Sequence, residues 1–142
     1  MDGLTFVRRI RDDGVGYPPI GTFVGFTLTR IERGSLEAVG IPTATHYNPL
    51  GVVHGGFSST LMDLALGLVS LTVLPSMESG VTTTDLNVRY VRRILESTGP
   101  MTVAASVLHA GGRIVVAEAF LRDAGQKLYT VAQSTLLIVA RK

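Results

Sequence analysis

The chain is predicted to be an α+β domain in which an antiparallel sheet of about six strands wraps around one hydrophobic helix. Three observations predict this. Residues 57–74 form a helical pattern that is apolar almost throughout and carries a single ionisable group, Asp63. Most of the remaining chain consists of runs rich in β-branched and aromatic residues. Turn signals, Arg33-Gly34, Gly111-Gly112 and Asp123-Ala124-Gly125, separate those runs as hairpins would require.

The elements follow in order. Leu4, Val7 and Ile10 recur on one side of residues 4–11, predicting an N-terminal helix packed on the surface and ended by the glycines and prolines of 14–19. Residues 1–20 are therefore read as a helical extension of a single domain spanning 1–142. Phe23 to Glu32 reads as a strand and Ser35 to Thr43 as its return, stopping near Pro42. The central helix opens at His54-Gly55-Gly56 and its pattern persists to Leu74, after which residues 75–80 form a loop. Val81 to Arg93 is read as one long strand, with Leu86, Val88 and Tyr90 on one face and Asp85, Asn87 and Arg89 on the other. Met101–His109, Arg113–Arg122 and Lys127–Val139 complete the sheet. No repeat, linker or low-complexity segment interrupts it.

Composition narrows the function classes. At 142 residues the chain is the size of one domain with a substantial core. Hydrophobic residues make up 46% and charged residues 17%, an apolar balance that predicts further burial in an oligomer. The net charge is only +2, and the arginines are scattered without any helix-turn-helix, zinc or aromatic-rich basic pattern, so nucleic acid is not an expected partner. The absence of cysteine excludes disulfides, a thiol nucleophile and thiolate metal sites, and fits a reducing compartment. No apolar segment of signal-peptide type follows Met1, so a cytoplasmic location is expected. The apolar stretch 57–74 has the length of a membrane span, but a central Asp and interrupting Gly, Ser and Thr residues argue against it. His46 and His109 have no metal-ligand spacing and are read as structural.

The central helix carries the chemistry. At about 100° per residue, Ser59, Thr60, Asp63, Gly67 and Ser70 share one narrow stripe, while Leu61, Leu64, Leu68, Val69 and Leu71 cover the rest. A carboxylate on so apolar a helix must be paired, solvated by a small pocket, or used. Gly55 and Gly56 stand at the helix start, where backbone N–H groups lack partners and the dipole favours negative charge. Without a Cβ there, a ligand can approach the backbone. Donors at a helix start and a carboxylate further on are parts that polarise a carbonyl and direct a water at it.

Asn48-Pro49-Leu50-Gly51, His54-Gly55-Gly56, Asp63 nine positions after His54, and Gly80-Val81 leading into Asp85-Leu86-Asn87-Val88-Arg89-Tyr90 closely resemble one family. It is the hotdog-fold acyl-CoA thioesterases of the phenylacetate-pathway (PaaI-like) group, relatives of 4-hydroxybenzoyl-CoA thioesterase. The resemblance runs from about Pro19 to the C-terminus. It implies a hotdog fold, hydrolysis of an acyl- or aryl-CoA ester to free acid and CoA, and no cofactor beyond the CoA of the substrate. It further implies a homodimer or a homotetramer built as a dimer of dimers, with active sites between subunits.

The resemblance also assigns roles. Gly55 would polarise the thioester carbonyl through its N–H, with Asn48 near the same oxygen or the water. Asp63 of the facing subunit would act as general base or as nucleophile, and Thr83 would orient the water. His54 would fix the loop or bond near the thioester. Arg92, Arg93 and Arg113, with Arg89 as a further candidate, stand where relatives meet the CoA phosphates. Many relatives follow the strand's Tyr with an Arg-Pro turn, whereas Val91-Arg92-Arg93-Ile94 here has no proline.

Each assignment has a structural alternative. Asp63 could tie the helix to backbone donors, His54 could order the turn, the glycines could permit a tight helix entry, and Asn48 could be a turn former. Thr83 lies in a run of three threonines that suits any strand, and the arginines suit a solvated surface. Two rival functions stand beside hydrolysis. A hotdog hydratase or dehydratase would need a His and an acid at a spacing not found here, and a non-catalytic acyl-CoA-binding protein is the reading if Asp63 proves unreactive.

Overall fold

The computed structural model describes all residues from Met1 to Lys142. Its elements are α1 (Gly3–Asp13), α2 (Ile20–Val24), β1 (Thr27–Glu32), β2 (Ser35–Gly40), α3 (Gly55–Leu71), β3 (Ser79–Thr83), β4 (Asn87–Tyr90), β5 (Met101–Ala110), β6 (Ile114–Arg122) and β7 (Leu128–Ala140). All strands join one antiparallel sheet in the order β1-β2-β5-β6-β7-β3, and β4 also pairs with β7. The sheet curls around α3, the arrangement expected of a hotdog fold.

α3 is held by the face it buries. Leu61, Met62, Leu66 and Val69 are fully buried, and each such side chain contributes roughly 1.5–3 kcal/mol of transfer free energy. The sheet comes unusually close at β2: a Cβ on Gly40 would lie 2.5 Å from Leu61. Only glycine permits that approach. α1 begins with an Asp2 cap whose carboxylate accepts the Thr5 N–H at 2.8 Å, and it adds Val7 and Ile10 to the same core. No helix is long and apolar enough to cross a membrane.

Five expectations are corrected. The strand expected from Phe23 begins at Thr27, because residues 20–24 form α2 instead. Pro18 and Pro19 preset its first turn, accepting the Gly21 and Thr22 N–H groups, and Gly25 ends it in the left-handed region at φ 64°. The return strand stops at Gly40 rather than Thr43, since the Ile41 N–H turns away to the Val24 carbonyl. α3 ends at Leu71, beyond which Val73 and Leu74 donate to carbonyls three residues back in a tightened final turn. Ser70, placed on the polar stripe, is instead fully buried and donates to the Leu66 carbonyl at 2.8 Å.

The fifth correction matters most for the site. The single strand expected over 81–93 is two strands, which raises the count to seven. Thr83 pairs with Leu136 and Asn87 with Gln133, so three residues (84–86) stand opposite two (134–135). This extra residue is a β-bulge. It reverses the alternation: Val81 and Thr83 face α3 before it, and Val88 and Tyr90 face α3 after it. A continuous period of two would have put Thr83 and Tyr90 on opposite faces.

Candidate active site

Two clusters of polar groups lie along α3. The first surrounds its start. His54 is the N-cap, with extended backbone (φ −61°, ψ 140°), and its Nδ1 accepts the Gly56 N–H at 2.9 Å. Accepting at Nδ1 leaves the proton of the neutral ring on Nε2. The turn is braced from behind by His46, whose carbonyl accepts the His54 N–H at 2.7 Å. The His46 ring is itself buried between Phe23 and Phe57, its Nδ1 taking the Thr43 N–H and its Nε2 meeting the Phe23 carbonyl at 2.6 Å. His46 is thus the structural histidine its sequence context suggested.

At the first helical position, the Gly55 N–H has no hydrogen-bond partner in the protein. Tyr90 covers this end: its hydroxyl donates to the Gly55 carbonyl at 3.2 Å and bonds Ser59, and a Cβ on residue 55 would lie 3.1 Å from its ring. Gly55, Tyr90, Arg92 and Arg93 line one surface pocket of about 420 Å³. Asn48 stands in the preceding loop, where its Oδ1 accepts the Leu50 and Val52 N–H groups at 2.9 and 3.3 Å. Its side-chain amide N–H groups meet no protein acceptor.

The second cluster lies two turns further on. Asp63 is exposed, and Thr83 donates to its Oδ1 at 2.8 Å. Oδ2 has no protein partner, and no cation pairs with the carboxylate. Both residues border a pocket of about 220 Å³ whose other walls include Leu64, Gly67, Leu68, Val81 and Leu136. An open carboxylate beside apolar walls, steadied by one hydroxyl, is equipped to take a proton from water.

The structure therefore joins Thr83 to Asp63, and gathers Asn48, His54, Gly55, Arg92 and Arg93 around the start of α3. It separates the two groups within one chain: eight residues of helix put Asp63 about 12 Å from Gly55 along the axis. Arg89 lies on the sheet face away from α3, in a polar hollow with Asn87, Glu118 and Gln133. Arg113 sits beside Ile138, about 26 Å along β7 from the residue paired with Tyr90. Arg92 stacks over the Tyr129 ring at 5.8 Å, and burial, helped by the Asp123 carboxylate, pushes the Tyr129 hydroxyl above its ordinary pKa. Tyr90 is the site residue to which sequence reasoning gave no role, and it bonds Ser59 of the polar stripe. Tyr90 lay within the motif, but its contact with Gly55 depends on the bulge.

Replacing His54 by Ala is expected to cost about 1 kcal/mol of stability through loss of the cap, and Asn, a good capping residue, is expected to restore it. Denaturant unfolding of both variants checks this. Restored stability with a persistently low hydrolysis rate would mean that the imidazole also serves the chemistry.

Comparison with known proteins adds the lineage of the fold. A family model described as the thioesterase superfamily matches residues 50–130, which contain Asp63, Thr83 and all of the first cluster except Asn48. A protein of Saccharolobus solfataricus, provisionally named an esterase, is 29% identical over 121 residues, 84% of this chain and 83% of that protein. Among solved structures, a Ralstonia eutropha protein provisionally named a thioesterase and related to phenylacetic acid degradation superposes with a TM-score of 0.84. It is 22% identical, covering 92% of this chain and 98% of its own. A Streptococcus mutans protein solved with bound acetyl CoA has a TM-score of 0.74 at 19% identity, covering 82% and 90% of the two chains.

Proposed function

Because the chain belongs to the thioesterase superfamily and has its hotdog fold, we propose that it hydrolyses an acyl- or aryl-CoA thioester to the free acid and CoA. Membership of this family supports a hydrolase. The observation that carries the finer reading is the exposed Asp63 carboxylate, bonded by Thr83 at the edge of an apolar pocket. Acetyl CoA bound to a protein of the same fold supports CoA as the thiol half of the substrate.

In this reading the substrate lies between two copies of the chain, since one chain's Asp63 and Gly55 are too far apart to reach the same thioester. The free Gly55 N–H of one copy donates to the carbonyl oxygen, aided by the dipole of α3. Asp63 of the other copy removes a proton from water while Thr83 holds the carboxylate in place. The water oxygen bonds the carbonyl carbon, the carbon–sulfur bond breaks, and the proton passes to the departing CoA sulfur. A thioester needs little more than this, because its carbonyl is weakly stabilised by resonance and a thiolate leaves readily. His54 and Asn48 shape the loop that presents Gly55. Arg92 and Arg93 line the pocket beside Gly55 and are the basic groups suited to the CoA phosphates.

A panel of aryl, short-, medium- and long-chain acyl-CoA esters, followed by released free thiol, tests the proposal. At least one ester should be turned over well above its spontaneous rate. Saturable binding of CoA esters without thiol release from any of them would instead make this a binding protein.

A further inference from the structure

We infer that Asp85 is a positioning residue, which selects the threonine presented to Asp63 by fixing where the edge strand absorbs its extra residue. The inference rests on the hydrolase reading for its activity test, and on the geometry of the bulge for everything else.

The bulge is built around one exchanged hydrogen bond. Thr84 begins a regular pair with Thr135, its N–H donating to the Thr135 carbonyl at 3.0 Å. The reciprocal bond, from the Thr135 N–H to the Thr84 carbonyl, is not made. The Thr135 N–H goes instead to the Asp85 carboxylate at 2.8 Å. Ser134 then closes the gap by donating its hydroxyl to the Asp85 carbonyl at 2.7 Å, and the Thr84 hydroxyl adds a second bond to the Thr135 carbonyl at 2.8 Å. A side-chain oxygen thus substitutes for a backbone acceptor where three residues oppose two.

Local sequence gives no other reason for the bulge to sit there. Residues 82–84 are all threonine, so each fits the strand equally well. Were the extra residue absorbed ahead of Thr83, β3 would slip by one, and Thr84 would replace Thr83 opposite Leu136. Every β3 side chain would then change faces. Thr82 would take the place of Val81 in the apolar pocket, and Val81 would face outward. Leu86 and Val88, packed against the core, hold β4 in place, so the slip would fall on β3. Asp85 opposes it because only in the observed register does its carboxylate meet the Thr135 N–H.

The test is a set of full-length variants assayed on whichever CoA ester the wild type hydrolyses. Asp85→Ala should lower kcat about 10- to 100-fold with a smaller change in KM, as expected when a supporting shift misplaces the groups that act on bound substrate. Asp85→Asn, which keeps an oxygen acceptor, should retain most of kcat. In a Thr83→Ala background, Asp85→Ala should cost less than it does alone, because part of its effect runs through Thr83. A wild-type kcat for Asp85→Ala, failure of Asn to rescue, or losses that multiply in the double variant would each overturn the inference.

Should Asp85→Ala fail to fold, hydrogen exchange in the wild type decides. The Thr135 amide should exchange as slowly as neighbouring ladder amides, and exchange like an exposed amide would overturn the inference. If the wild type hydrolyses no thioester, the hydrolase reading falls on its own. The same amide, and the register of β3 in an Asp85→Ala crystal structure, then decide the role of Asp85.

Discussion

Asp63→Ala should lower kcat for thioester hydrolysis by about 10²- to 10⁴-fold, the range spanned by a positioned proton-transfer group. The fold should survive. Asp63 is exposed, makes one side-chain hydrogen bond, and balances no buried charge. Asp63→Asn is the sharper variant, because its amide oxygen can still accept from Thr83 while the proton acceptor is lost. Steady-state thiol release, alongside thermal unfolding, separates the two effects. A rate near wild type in Asp63→Asn would show that the carboxylate is not the base, and loss of rate matched by loss of folded protein would return Asp63 to a structural role.

Gly55→Val should reduce kcat by about 100-fold, comparable to removing one donor from an oxyanion site. Here the N–H is not deleted but moved. A Cβ at residue 55 would lie 3.1–3.2 Å from the Tyr90 ring, closer than ordinary packing, and valine's methyl groups crowd further into the pocket that Gly55 shares with Arg92 and Arg93. Either Tyr90 or the start of α3 must give way. Tyr90 is 54% exposed and can swing outward, so stability should change little, and valine's better helix propensity offsets part of any strain. Unchanged unfolding with a much lower kcat is the expected pair of results. A variant that unfolds early but turns over normally once folded would leave Gly55 as no more than a tight helix entry.

Much of this protein was legible from its sequence because the relevant signals are local. The apolar pattern of residues 57–74 announced a buried helix, and the His-Gly-Gly start placed its free N–H within a residue of where it stands. The hairpin turns fixed β5, β6 and β7 to within one or two residues, since turn chemistry and alternation act over a few positions. α2 escaped notice although its signals, two prolines before it and a glycine after it, were present. Its β-branched and aromatic residues outweighed them.

What the sequence determined by itself was the inventory: one greasy helix, the strands around it, and a carboxylate and a glycine N–H near opposite ends of its first half. Tertiary structure alone decided which side chains meet. Thr83 reaches Asp63, and Tyr90 reaches Gly55, because an extra residue between them is taken up against β7, a strand some fifty positions away along the chain. It also set Arg92 and Arg93 beside the helix start. Periodicity reports the order of side chains along one strand. The phase of that order is set by hydrogen bonds to another strand, and no window of neighbouring residues contains them.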